Sequence, residues 1–151
     1  MTVVAVRAGI MCADSLVTCG ADANTRYSRT KKIQRMPNGA LFAGTGDPVA
    51  FNRWAVKLRG IIQKKKPIEC SSVIEFKDVD ALYLAPDGIC WLFTGGPNGG
   101  ICQLDGPFFA EGSGCTAALS AMYCGADAET ACEIACDLDT NCGLPVQVEV
   151  L

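Results

Sequence analysis

Thr2 is the residue of this chain best equipped for chemistry, because it follows Met1 directly and opens the strand-like run Thr2-Val3-Val4-Ala5-Val6-Arg7. Removal of Met1 would place a hydroxyl and a free α-amine on one residue. The amine has a reference pKa of about 7.7–8.0, so near neutrality a useful fraction is unprotonated and can take the hydroxyl proton. The 151 residues contain no histidine, which excludes Ser-His and Cys-His nucleophile pairs and zinc sites of the HExxH type. A threonine at an N-terminus needs none of these, since it carries its own base. The plain alternative is a threonine that merely begins a chain. What sets Thr2 apart is its company: Asp14, in Met11-Cys12-Ala13-Asp14-Ser15, and Lys32, in Thr30-Lys31-Lys32-Ile33-Gln34-Arg35.

The order of these motifs carries a family resemblance. A threonine, a hydrophobic strand, Ala13-Asp14-Ser15, Lys31-Lys32-Ile33 and a glycine-rich strand end Ala43-Gly44-Thr45-Gly46 follow one another. Gly112-Ser113-Gly114 then precedes an alanine-rich helix, and Glu133-Ile134-Ala135 runs into Cys136-Asp137-Leu138-Asp139-Thr140. Each motif is weak alone, but the ordered set spans nearly the whole chain and resembles proteasome β-subunits and HslV-type threonine peptidases. The resemblance implies an α+β fold, the four-layer αββα sandwich of the N-terminal nucleophile hydrolases. It implies Thr2 as nucleophile, Asp14 as the carboxylate near it, and Lys32 as the ammonium that lowers the hydroxyl's proton affinity; a lysine held between a carboxylate and a hydroxyl does this by proximity of charge. The backbone N–H of Gly46 would stabilise the developing oxyanion. Ser113, Asp137 and, less directly, Thr140 would orient the N-terminal amine, and Val17, Thr30, Gly44 and Pro48 would line a small, mostly neutral substrate pocket.

Each assignment has a structural alternative. Asp14 can be a turn carboxylate, Ser113 a helix N-cap, and Asp137 a charge at a helix end. Lys31 competes with Lys32, and only the spacing to Ile33 favours the second lysine. By the same resemblance the partners would be copies of the chain in a homo-oligomeric ring, unfolded polypeptide as substrate, and a separate ATP-dependent unfoldase, since nothing in the chain binds ATP. Three readings stand beside the peptidase: a ring protein that retains Met1 and serves as a scaffold, a small-molecule amidase of the same fold, and a thiol-based redox or metal protein.

The elements that must position these residues alternate along the chain. Residues 2–8 and 10–19 read as strands around Gly9, and 32–36 and 40–44 as a hairpin across Pro37-Asn38-Gly39. Asp47-Pro48 announces a helix, with Phe51, Trp54, Ala55, Leu58, Ile61 and Ile62 on one face, running to about Lys65 before Pro67. Residues 80–84 and 89–93 form a hairpin around Pro86-Asp87-Gly88. The stretch from Gly95 to Gly100 is a loop that lacks the Gly-Lys-Ser/Thr ending of a phosphate-gripping one. Helices over 115–124 and 128–138, the latter capped by Asp127, precede a closing strand at 146–151. One apolar face per element then favours packed layers.

Composition agrees with one domain over residues 1–151: half the residues are hydrophobic, enough for a substantial core. The net charge of −3 offers no broad basic surface for nucleic acid, and Lys64-Lys65-Lys66 suits a solvated helix end. No charged and apolar leader opens the chain and no apolar run nears the ~20 residues that span a bilayer, so a cytoplasmic protein without membrane association is expected. The 10 cysteines therefore read as reduced core thiols. Cys124, Cys132 and Cys136 lack a paired CxxC knuckle, so neither a metal nor any other cofactor is expected.

Overall fold

The computed structural model of the chain describes residues 2–19, 25–66, 79–96 and 99–151. The described strands are β1 (Val3–Arg7), β2 (Ile10–Ala13), β3 (Leu16–Cys19), β4 (Thr25–Arg29), β5 (Ile33–Arg35), β6 (Leu41–Gly46), β7 (Val79–Leu84), β8 (Cys90–Thr94), β9 (Gly100–Leu104), β10 (Phe108–Gly112) and β11 (Gln147–Val150). The helices are α1 (Pro48–Gln63), α2 (Cys115–Tyr123) and α3 (Ala128–Leu138). They form a four-stranded sheet in the order β10-β1-β2-β11, a five-stranded sheet β5-β6-β7-β8-β9, and a ribbon β3-β4. All the pairings are antiparallel.

Period-two alternation explains why both large sheets are apolar on both faces. In β1, Val3 and Ala5 join a cluster with Cys12 and the buried faces of α2 and α3, among them Ala118, Met122, Ala131, Cys132 and Ala135. Val4 and Val6 face the other way, into a second cluster with Met11, Ile33, Leu41, Ala43, Leu82 and Leu84 that joins the two sheets. In β6 the same alternation sends Phe42 to a third cluster with Phe51, Trp54, Leu58, Tyr83 and Phe93, where α1 packs. The helix starts as its sequence signals indicate: Asp47 accepts from the N–H groups of Val49 (2.7 Å) and Ala50 (3.1 Å), with Pro48 in the first turn.

Both expected hairpins form. Met36 N–H donates to Ala40 at 2.8 Å across Pro37-Asn38-Gly39, and Ala85 N–H donates to Ile89 at 2.8 Å across Pro86-Asp87-Gly88. The third residue of each turn, Gly39 at φ +90° and Gly88 at φ +86°, lies in the left-handed region where glycine is unstrained.

Three expectations are corrected. The single strand over 10–19 is two strands, because Asp14 and Ser15 leave the ladder: Ser15 N–H donates to Gly143 (3.1 Å) while the Asp14 carboxylate takes Leu16 N–H (3.0 Å). Gly100 begins β9 rather than ending a loop, pairing with Thr94; Pro97 and Asn98 of that loop lie outside the described residues, as do Met1 and Pro67. Strands β4 and β10 are additions. Phe108–Gly112 is five residues long and follows Gly106-Pro107, so its turn-rich approach hides it, yet it forms a full antiparallel partner of β1. Among the described residues no helix is long and apolar enough to cross a membrane.

Candidate active site

Thr2 stands immediately before β1, the inner strand beside which β10 and β2 run. Its position is fixed by backbone. The turn after β10 closes over it, with Ser113 Oγ donating to the Thr2 carbonyl at 3.3 Å and Gly114 N–H at 3.4 Å. Gly112 has φ +100°, and a Cβ on it would strike the Thr2 carbonyl, so both conformation and space require glycine there.

Asp14 is fully buried beneath Thr2. Its Oδ1 accepts from the Thr2 hydroxyl, from Val3 N–H (3.1 Å) and from Lys32 Nζ (2.7 Å). Its Oδ2 accepts from Leu16 N–H (3.0 Å) and Gly143 N–H (3.1 Å). A buried carboxylate is tolerable only when its charge is paired and its lone pairs are occupied, and here both conditions hold. The Lys32 side chain is 9% exposed, and its Nζ also donates to Thr2 Oγ1. Thr2, Asp14 and Lys32 thus form a closed triangle from the residue before β1, the β2–β3 break and the segment before β5. Lys31 points elsewhere, pairing with Glu149 at 3.2 Å on the surface.

The remaining expected residues divide. Val17, Thr30, Gly44, Gly46 and Pro48 all line one cleft whose floor holds Thr2 and Lys32, together with Phe51 and Asn52. Gly44 is glycine because a Cβ there would run into the Phe51 ring. Gly46, exposed at φ +97°, ends β6 on the cleft wall. Ser113 lies against Thr2, as described. Asp137 does not: it is exposed on α3, and no described hydrogen bond joins it to Thr2 or Ser113. The helix period explains this, since the buried face of α3 runs Ala128, Ala131, Cys132, Ala135, and the next inward position is 139.

Asp139 occupies that position. It accepts from Asn141 N–H (2.9 Å), Asn141 Nδ2 (3.0 Å) and Cys142 Sγ (3.4 Å), while Ser113 Oγ lies 3.9 Å from Cys142 Sγ. Desolvation opposes its charged form, but hydrogen bonds from Ser113, Asn141 and Cys142 outweigh it and hold the carboxyl below the usual range. Thr140 is exposed in a groove of α2 and α3 that also reaches Ser113. Asp139, Cys142 and Gly143 carry no motif of their own; the spacing of 128, 131, 132 and 135 was the available signal for Asp139.

The thiols beneath the site are poor nucleophiles. Burial, reinforced by the Asp14 charge, pushes Cys136 up to about 12, and the same causes raise Cys142. Among the described residues, no group of three or more His, Cys, Asp or Glu side chains is placed to hold a metal ion.

No protein-family model matches the sequence, and no curated protein matches it either. Solved structures do match in fold. Eukaryotic HslV from Trypanosoma brucei superposes with a TM-score of 0.75 at 16% identity, over 99% of this chain and 97% of that one. BPH from Thiobacillus denitrificans, in a complex with epoxomicin, gives 0.63 at 23% identity over 100% and 98%. The Anbu (Gly-1) mutant from Hyphomicrobium sp. strain MC1 gives 0.67 at 14% identity, over 100% of this chain and 82% of that one. The resemblance thus extends from motif order to three-dimensional structure: the chain has the mixed α/β fold of these three solved structures.

Proposed function

We propose that the chain is a ring-forming threonine peptidase subunit that hydrolyses peptide bonds of unfolded polypeptides through an ester on Thr2, after removal of Met1. The observation that carries this reading is the buried triangle in which Lys32 Nζ donates to both Thr2 Oγ1 and Asp14 Oδ1 at the floor of a cleft. The αββα layering belongs to the same reading. It is supported by the three clusters, with α2 and α3 on the four-stranded sheet, α1 on the five-stranded sheet, and an apolar layer joining the two sheets.

Thr2 Oγ attacks the scissile carbonyl carbon, and its proton passes to the α-amine of the same residue. The Lys32 ammonium beside Oγ1 stabilises the alkoxide character that develops, and Asp14 holds the lysine in place. The Gly46 N–H on the cleft wall meets the carbonyl oxygen as it becomes an oxyanion. Collapse breaks the C–N bond, and the leaving amine takes the proton from the α-ammonium. Water then attacks the ester carbonyl, again giving a proton to the α-amine, and Thr2 Oγ regains its proton as the acid leaves. Ser113 and Asp139 orient the amine. Val17, Thr30, Gly44 and Pro48 bound a cleft that favours apolar side chains. Copies of the chain form the ring, and a separate ATP-dependent unfoldase delivers substrate.

Intact-protein mass spectrometry before and after incubation with a peptide epoxyketone tests the proposal. The expected result is a mass lacking one methionine residue, plus one adduct absent from Thr2→Ala. A retained methionine without adduct would replace the peptidase by a scaffold ring. Turnover of small amides with indifference to peptides would replace it by an amidase.

A further inference from the structure

We infer that Gln147 is a positioning residue: its side-chain amide fixes the register of Thr30–Lys32, so that Lys32 rather than Lys31 meets Thr2. Thr30, Lys31 and Lys32 lie between β4 and β5 and belong to neither strand. The Gln147 amide stands in for a neighbouring strand. Its Nε2 donates to the Thr30 carbonyl at 2.6 Å, and its Oε1 accepts from Lys32 N–H at 2.8 Å. A carbonyl at one position and an N–H two positions on share one side of an extended backbone, and a primary amide offers the matching donor and acceptor.

The consequence is an alternation. With residues 30 and 32 clipped on one edge, successive side chains diverge: Lys32 goes inward to Asp14 (2.7 Å) and Lys31 outward to Glu149 (3.2 Å). A slip of one residue would exchange them. The same strand, β11, runs beside β2, whose last residue precedes Asp14. Gln147 is opposite Ala13, next to Asp14, and Glu149, two residues on, pairs with Lys31 and with Arg35 (3.0 Å).

The catalytic consequence rests on the peptidase reading, whereas the clip itself does not, and two measurements separate them. In Gln147→Met the side chain keeps its length and loses both hydrogen bonds. Hydrogen exchange of the Lys32 amide should accelerate roughly tenfold, the scale of one lost hydrogen bond, while the Val4 and Leu82 amides stay as in the parent protein. Gln147→Glu keeps the acceptor for Lys32 N–H, so its Lys32 exchange should stay near that of the parent. The rate of epoxyketone labelling against pH should fall roughly tenfold in Gln147→Met with a displaced acid limb, partly restored in Gln147→Glu. Unchanged Lys32 exchange in Gln147→Met, or equal exchange in the two variants, overturns the clip. An intact clip with an unmoved pH profile overturns its catalytic role. An unlabelled parent protein sinks the peptidase reading, and the exchange result still decides the clip.

Discussion

The two helix-covered sheets of this molecule are built from different materials. Against α1 the core is aromatic: Phe42 meets Trp54 edge-on at 5.2 Å, and Trp54 meets Phe93 at 5.2 Å. Against α2 and α3 the core is alanine, cysteine and valine, with Met122 its largest buried side chain. Large rings hold backbones apart and bury much apolar surface each, while small side chains let backbones approach closely. The candidate site uses both. Thr2 and Asp14 hang from the small-residue half, where Gly114 packs against Cys142, Val3 and Ala135 at 3.0, 3.0 and 3.1 Å from where a Cβ would stand. The cleft wall comes from the aromatic half, where Phe51 fills the space over Gly44.

The division assigns chemistry and stability to different residues, and substitutions can test it. Lys32→Met should remove epoxyketone labelling by about a thousandfold or more, as expected for a group that acts on the nucleophile, with the chain still folded by circular dichroism. Phe42→Ala should do the reverse in kind: a loss of about 3–5 kcal/mol in denaturant unfolding, because the ring leaves a cavity at the centre of the aromatic cluster. Gly112→Ala should cost about 2 kcal/mol and also reduce labelling, since a side chain there meets both a left-handed φ and the Thr2 carbonyl.

Two carboxyls in the small-residue half should respond to pH with opposite signs. Burial, reinforced by the Asp80 charge, raises Glu111 above its usual range despite the Gly112 N–H it accepts. Its contribution is full below the unfolded value of about 4.3 and is lost as pH rises through the folded one. Glu111→Gln should therefore be more stable than the parent at neutral pH and equal to it in acid. The lowered Asp139 contributes above the unfolded value of about 3.9 and loses that contribution as pH falls. Asp139→Asn should be the less stable protein at neutral pH, converging with the parent in acid unfolding. The smallest effect belongs to Glu149→Gln, about 0.5 kcal/mol or less by thermal unfolding, because its ion pairs with Lys31 and Arg35 are at the surface.

Local signals told most about the fold where one residue type had one use. Asp47-Pro48 and the Pro-Asn-Gly and Pro-Asp-Gly turns fix a helix start and two hairpins without help from the rest of the chain. The break at Asp14 was hidden, because it is made by Gly143, more than a hundred residues away. The two adjacent lysines were chemically identical in the sequence, and their different directions coincide with contacts to Gln147 and Glu149. Asp137 and Asp139 could have been separated earlier, since α3 carries its own period. Strand β10 could not, as five residues behind Gly106-Pro107 look like a turn until β1 lies beside them.

The Thr2 surroundings draw on residues 14, 32, 113 and 143, and the register of the Lys32 segment draws on residue 147. On a ribosome these arrive in sequence, residue 147 more than a hundred residues after Asp14 and Lys32. On the peptidase reading proposed above, the hydroxyl at position 2 is armed only once residues 143 and 147 have folded into place, so a chain still being made is inert until then.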